Sequence, residues 1–171
     1  NARGMGGSRS RPGQGPRRCL NPMAPPVTAQ LIEVFSSIQG EGLHIGEPQI
    51  FLRFQGCGIG CRWCDTPASF ERWSQCRIED PPGSRQFSPF PNPVAVEALV
   101  EVLARFGPQT LSLTGGEPLE QAPFLQAFLP RMIGRRAVFL ETAGVHPEAL
   151  ASIINSVDTV SMDTVCRCGL R

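Results

Sequence analysis

Residues 57–66 read Cys57-Gly58-Ile59-Gly60-Cys61-Arg62-Trp63-Cys64-Asp65-Thr66, and this stretch sets the reading of everything around it. Three cysteines fall within eight residues at CxxxCxxC spacing, and the glycines between them free the backbone to wrap a compact metal core. A four-iron cluster is held by cysteine thiolates and ordinarily takes four of them. Three would leave one iron with an open coordination position, much as a catalytic zinc keeps a position for substrate while a structural zinc is closed. The cysteines alone leave two other readings open: a zinc site completed by Cys76 or His44, and an electron-carrying cluster with Cys76 as fourth ligand. Structural zinc sites pair their ligands as two separated knuckles, and ferredoxin runs use a tighter spacing that ends in Cys-Pro, so neither fits closely. A disulfide framework suits short secreted chains better than a Gly-rich loop in a chain of 171 residues.

Upstream, residues 49–55 predict a strand, with Ile50, Phe51, Leu52 and Phe54 around Arg53, and it delivers the chain directly into Cys57. Arg53 reads either as an outward-facing residue of a half-exposed strand or as an anion anchor beside the cysteines. Residues 29–37 predict an earlier strand, broken by Gln39-Gly40-Glu41-Gly42. Downstream, residues 67–92 lack periodicity and are rich in Pro, Ser and Arg, so a loop or insertion with at most a short helix is expected. Asn92-Pro93 then offers an N-cap followed by proline at the first helical position, and Val96, Leu99, Val100, Leu103 and Phe106 make one apolar face up to Gly107-Pro108. A strand over 110–114 stops at Gly115-Gly116. A helix over 118–132 with a break near Pro123 or Pro130, a strand over 137–141, a helix over 147–154 and a strand over 157–162 complete the pattern. Strands alternating with helices predict the α/β class and a parallel sheet. Right-handed crossovers put functional residues at the carboxyl ends of such strands, where Gly115, Glu141 and Asp163 fall. The expected architecture is an open, partial (β/α) barrel.

The length suits one domain, and 41% hydrophobic residues suffice for a single core. No run approaches the roughly 20 apolar residues that span a bilayer, and the N-terminal region lacks the apolar core of a signal peptide. A cytoplasmic location is expected, which also suits reduced cysteines. The net charge of +1 hides an asymmetry: residues 1–22 hold five arginines and no acid, whereas 23–165 hold nine arginines against all fifteen acids, a balance of −6. The basic tail has almost nothing apolar, so it is expected to be disordered and 23–171 to form the folded domain. A nucleic-acid-binding arm is one reading of the tail. The blander reading is favoured: Met23 begins a sensible protein, what precedes it is translated upstream sequence, and no direct nucleic-acid contact is expected.

Gly115-Gly116-Glu117-Pro118 sits at a strand-to-helix junction, where glycines bring backbone close to a ligand and exposed amides and carbonyls with Glu117 suit a zwitterion such as an amino acid. Alone it is only a turn; following CxxxCxxC, with Trp63 just before the last cysteine, it resembles the radical S-adenosylmethionine superfamily. The resemblance implies a [4Fe-4S] cluster held by Cys57, Cys61 and Cys64, with S-adenosylmethionine chelating the open iron. Gly116 and Glu117 would steady its methionine end and Trp63 would lie near the adenine, with Cys64, Asp65, Glu141, Ser161 and Asp163 as further cofactor contacts. The cofactor does the hard chemistry and the protein positions it.

Within the superfamily, Glu33-Val34-Phe35-Ser36-Ser37-Ile38-Gln39-Gly40-Glu41-Gly42, Phe51-Leu52-Arg53-Phe54-Gln55-Gly56-Cys57 and Cys64-Asp65-Thr66 together resemble the 7-carboxy-7-deazaguanine synthase family of queuosine and 7-deazapurine biosynthesis. The similarity is dense over 29–66 and resumes over 109–164. It implies a carbon–nitrogen lyase acting on 6-carboxy-5,6,7,8-tetrahydropterin, with magnesium support, an electron donor such as flavodoxin or ferredoxin, and a homodimer among the expected states. By position, Ile38, Gln39, Gly40, Glu41 and Thr114 would meet the pterin, Arg53 its carboxylate, and Thr66 the magnesium. Another enzyme of the superfamily, such as a glycyl-radical-activating enzyme, is the alternative, and a non-catalytic zinc or iron–sulfur module is a more distant one. Gln39-Gly40-Glu41-Gly42 and Cys64-Asp65-Thr66 speak against the first, and iron and sulfide analysis discriminates the second. Two departures stand out: the family commonly has Asn where this chain has Ala143, and Ser161-Met162-Asp163-Thr164 runs into Val165-Cys166-Arg167-Cys168 instead of a lysine and a proline-containing segment. The expectation is a core truncated at its C-terminal end, with Cys166 and Cys168 not acting as ligands.

Overall fold

The computed structural model describes residues 25–163. The basic tail at 1–22, the start at Met23 and the run after Asp163 lie outside these residues. In chain order the elements are β1 (Thr28–Ala29), β2 (Leu31–Ile38), β3 (Pro48–Phe54), β4 (Gln75–Glu79), β5 (Phe87–Pro91), β6 (Val94–Ala95), α1 (Val96–Leu103), β7 (Thr110–Gly115), α2 (Ala122–Phe128), β8 (Val138–Thr142), α3 (Pro147–Ile153) and β9 (Thr159–Met162). Seven strands form one sheet in the order β5-β4-β2-β3-β7-β8-β9, and β1 pairs with β6 beside it.

Strand alternation gives this sheet two unlike faces. Ile50, Leu52 and Phe54 of β3 are fully buried, as are Val34, Leu111, Leu113 and Leu140 from its neighbours, and all join one core with Leu99, Leu103, Phe124, Leu125 and Phe128 of the helices. Phe54 meets the Phe124 ring edge-on at 6.4 Å, and Phe124 stacks on Phe128 at 5.4 Å. Burying each such side chain contributes about 1.5–3 kcal/mol, which is what seats these short helices on the sheet. The opposite face carries Phe35, Phe51, Arg53, Thr114 and Glu141, and it borders a cavity.

The architecture is the expected α/β one, with β3, β7, β8 and β9 mutually parallel. The sheet is not parallel throughout: β2 runs antiparallel to β3, β4 parallel to β2, and β5 antiparallel to β4. The segment 67–92 departs furthest from expectation, because it contains the β4–β5 hairpin. Only Cys76 and Ile78 mark the buried face of β4, too short a pattern to register, and β5 carries Pro89 and Pro91, which an edge strand tolerates because one row of its N–H groups needs no partner. Asn92 is not the helix cap. Its side chain accepts from Leu31 N (3.1 Å) and donates to Leu31 O (2.9 Å) and Trp73 O (2.9 Å), and α1 starts only after β6. The helix expected over 118–132 is three pieces, 3-10 turns at Pro118–Gln121 and Leu129–Arg131 around α2, with breaks at both of the anticipated prolines.

Candidate active site

The parallel register sets Phe54 of β3 opposite Gly115 of β7, so the cysteine loop and the Gly115-Gly116 loop leave the sheet side by side. Gly116 N donates to Phe54 O (2.9 Å) and Glu117 N to Gly56 O (3.0 Å). A Cβ on Gly116 would lie 1.9 Å from Gly56 O, and Gly115 has φ of +105°, so both positions demand glycine. Glu117 is 1% exposed; its carboxylate accepts from Leu119 N (3.0 Å), Thr142 Oγ1 (2.9 Å) and Ala143 N (2.9 Å). It therefore ties the loop after β7 to the loop after β8, and the groups beside it that border the cavity include the Gly115 and Gly116 backbone.

Cys57, Cys61 and Cys64 are free and half-buried on the cavity wall. Among the described residues no three His, Cys, Asp or Glu side chains converge on a point that would hold one ion. A tetrahedral zinc, with Zn–S near 2.3 Å, needs its sulfurs within about 4 Å of one another. A cluster binds each thiolate at a different iron, and three free thiols on one loop are a donor set such a cluster can take. The two residues that would have completed a zinc site are engaged elsewhere. Cys76 is fully buried in the core, and burial pushes its thiol up to about 11. His44 meets Glu47 Oε2 through Nδ1 (2.8 Å) and Thr159 Oγ1 through Nε2 (3.4 Å), with its ring edge-on to Phe139. Burial also raises the Cys57 thiol; the Ile59 and Gly60 amides oppose the rise, and the Glu120 and Cys61 charges add to it.

The cavity measures about 750 Å³, within the usual range for a small-ligand site. Of the residues expected at the site, Ile38, Gln39, Gly40, Glu41, Arg53, Trp63, Asp65, Thr66, Thr114, Gly116, Glu117, Glu141 and Asp163 border it together with the three cysteines. Ser161 does not border it, although it lies opposite Glu141 in the β8–β9 register. Trp63 stands 70% exposed on the rim. Arg53 is not outward-facing: Nε donates to Glu33 Oε1 (3.0 Å), Nη1 reaches Thr66 Oγ1 (3.5 Å), and the guanidinium lies 5.5 Å from the centre of the Phe35 ring. Thr66 Oγ1 in turn donates to Asp65 Oδ1 (3.0 Å). On the same face of the sheet, Glu141 accepts from Gln39 Nε2 (2.9 Å) and from the hydroxyl of Thr114, the register partner of Arg53, which joins the ends of β2, β7 and β8.

Three supporting residues escaped sequence reasoning. Glu33 holds Arg53 and Arg77 at once, Gln121 clasps the Gln30 backbone (2.7 and 3.0 Å) and Gln55 O (2.8 Å), and Glu120 reaches Gly58 N (2.6 Å). The one signal for Glu33 was its place two residues before Phe35 on the cavity-facing side of a strand.

A glycine-cradled loop of three cysteines at the carboxyl edge of parallel strands is the site of a radical S-adenosylmethionine enzyme. Residues 51–164 match the model of the Radical SAM superfamily, and the chain belongs to that superfamily. It is 48% identical over 141 residues to the 7-carboxy-7-deazaguanine synthase of Geobacter sulfurreducens, an alignment covering 79% of this chain and 56% of that one. The synthase of the same name from Methanothermobacter thermautotrophicus is 39% identical over 137 residues, covering 80% and 49%. The crystal structure of QueE from Escherichia coli superposes with a TM-score of 0.51 at 28% identity, covering 70% of this chain and 54% of that one. The chain thus spans about half the length of the curated relatives it matches.

Proposed function

We propose that this chain is the core of a 7-carboxy-7-deazaguanine synthase, a carbon–nitrogen lyase that contracts the ring of 6-carboxy-5,6,7,8-tetrahydropterin with loss of ammonia. The observation that carries the proposal is a cation held in place beside a hydrogen-bonded set of amide, hydroxyl and carboxylate groups lining the same cavity. Arg53 is fixed by Glu33 and borders the cavity, and Thr114, its neighbour in the β3–β7 register, joins Gln39 and Glu141 in a hydrogen-bonded set lining the same cavity. Arg53 would grip the pterin carboxylate through two parallel hydrogen bonds. Ile38, Gln39, Gly40, Glu41 and Thr114 would hold the ring, and Glu141 would link that side to the cofactor side.

Cys57, Cys61 and Cys64 would hold the [4Fe-4S] cluster, and S-adenosylmethionine would lie along the Gly115-Gly116 backbone with Trp63, Asp65, Glu117 and Asp163 around it. Once bound and reduced, the two would supply radical hydrogen-abstraction chemistry to a pterin held by the residues above. Thr66 would bind magnesium; its hydroxyl now lies between Arg53 and Asp65, so taking a cation there means releasing Arg53 to the substrate carboxylate. A flavodoxin or ferredoxin would deliver the electron, in the cytoplasm. The described residues contain no helix long and apolar enough to cross a membrane.

The test is anaerobic cluster reconstitution followed by reductant, S-adenosylmethionine and the pterin. The expected products are 5′-deoxyadenosine and 7-carboxy-7-deazaguanine. Cofactor cleavage that the pterin neither stimulates nor consumes would move the chain to a different reaction within the superfamily.

A further inference from the structure

Glu120 lies in the 3-10 turn Pro118–Gln121 that follows the glycine pair, and its side chain leaves that turn for the cysteine loop. Its Oε1 accepts from the Gly58 amide at 2.6 Å, across 62 positions of sequence. Gly58 immediately follows the first cysteine, so the bond fixes the loop at the residue where it turns away from β3. The neighbouring contacts fasten the chain up to that point but not within the loop: Gly116 N to Phe54 O, Gln121 Nε2 to Gln55 O and Glu117 N to Gly56 O grip three successive residues of the approach. Glu120 extends the same row of contacts past Cys57. The same Oε1 lies 3.7 Å from His146 Nε2, a buried nitrogen with no hydrogen-bond partner, so the carboxylate sits between the loop and the start of α3.

We propose that Glu120 is a positioning residue for the cluster: it fixes the Gly58 amide and so pre-forms the cysteine loop before iron binds. A loop already in its bound shape gives up less conformational entropy when the cluster assembles, and it holds the cluster longer. The inference rests on the assignment of Cys57, Cys61 and Cys64 as cluster ligands. Its geometry offers two independent ways to break the contact. Glu120→Ala removes the acceptor. Gly58→Ala keeps it but places a Cβ 2.9 Å from Glu120 Oε1, and the flexible end of the glutamate must then move away. Gly58 does not need a left-handed backbone, so alanine is tolerated there.

The experiment measures, in each protein, amide hydrogen exchange at position 58 without iron and the rate at which a chelator strips iron after reconstitution. A charge-assisted hydrogen bond of this kind slows exchange about tenfold or more. Glu120→Ala is expected to exchange about tenfold faster at that amide and to lose iron several-fold faster, with its melting temperature little changed. Glu120→Gln, which retains an oxygen acceptor, should recover most of both, whereas Glu120→Met, which keeps the bulk without the acceptor, should not, a split that a general packing role would not produce. Gly58→Ala should behave like Glu120→Ala, and the double variant should be no worse than either. Wild-type exchange and iron retention in Glu120→Ala, or fully additive effects in the double variant, overturn the proposal. If Glu120→Ala does not fold, Gly58→Ala and Glu120→Gln decide the question. If the unaltered protein takes up no iron, the cluster assignment itself fails, and the exchange rate at position 58 alone then decides whether Glu120 fixes the loop.

Discussion

Gly116→Ala tests the closest approach in the structure. The added Cβ would sit 1.9 Å from Gly56 O and 2.7 Å from Gly56 C. Both are backbone atoms, and neither can swing aside as a side chain would. Forcing a methyl into such a contact costs about 1–3 kcal/mol. The separation it imposes also strains the hydrogen bonds Gly116 N to Phe54 O and Glu117 N to Gly56 O, each contributing about 1 kcal/mol. The expected loss is about 3–5 kcal/mol, a large part of the roughly 5–15 kcal/mol that holds a domain folded. At about 2–4 °C per kcal/mol for a domain of this size, the melting temperature should fall by about 6–20 °C. The assay is thermal unfolding followed by far-UV circular dichroism, on protein without iron and under reducing conditions. Gly40→Ala is the control, because nothing lies within 4 Å of its would-be Cβ, and it should melt within about 3 °C of the unaltered chain. A Gly116→Ala protein that also melts within about 3 °C would refute the claim that these two loops pack backbone to backbone.

Alanine at Cys57, Cys61 or Cys64 should abolish iron and sulfide binding after reconstitution, whereas Cys76→Ala should keep both and lose about 1–2 kcal/mol of stability from its fully buried site. Arg53→Lys should weaken pterin binding about tenfold in equilibrium titrations and leave S-adenosylmethionine binding unchanged, because an ammonium cannot make the two parallel bonds and cannot replace the Nε contact to Glu33. Glu79 is a case for pH. Burial alone would raise its carboxyl, but the Ser36 hydroxyl and the amides of Gly83, Ser36 and Arg85 hold it below its ordinary value of 4.5. A folded value below the unfolded one adds stability that is complete above the unfolded value and is lost as pH falls through the folded one. In denaturant titrations Glu79→Gln should therefore be less stable by about 1–2 kcal/mol at neutral pH, with the gap closing below the ordinary glutamate range.

The parts of the fold legible in the sequence are those where one short window contains the whole signal. The run Ile50 to Phe54 announces β3, the 3.6-residue spacing of Val96, Leu99 and Leu103 announces α1, and Gly115-Gly116 marks where β7 must end. The β4–β5 hairpin was illegible because part of its stability is borrowed from a distant strand: β4 pairs with β2, and Glu79 accepts from Ser36 N and Oγ, 43 positions away. The site divides in the same way. Its ligand-facing residues sit in compact motifs, whereas the residues that position them act across 20 positions for Glu33 and Arg53, 91 for Gln121 and Gln30, and 62 for Glu120 and Gly58. Such partnerships depend on which strands become neighbours. Even Glu117, read from its motif as a ligand contact, is committed to Thr142 and Ala143 once β7 and β8 lie side by side.

The route of the chain explains why two motifs about fifty residues apart can share one contact. After Thr66 the chain does not pass directly to β7. It runs to the far side of the sheet, where β4 pairs with β2 and β5 forms the edge, then returns through β6 and α1. Only then does β7 enter next to β3, in a register that matches Phe54 with Gly115. None of residues 80–86, the turn of the hairpin, borders the cavity. Of residues 67–109 only Ser69 borders the cavity, where its carbonyl also accepts from Gly56 N (2.8 Å); the rest supplies an edge and a helix, and the cysteine loop takes most of its position from the backbone of β7 and the turn after it. Two glycines, an amide from Glu117 and one side chain each from Glu120 and Gln121 make the contacts on that side, because a parallel strand pair already brings both loops to the same end of the sheet.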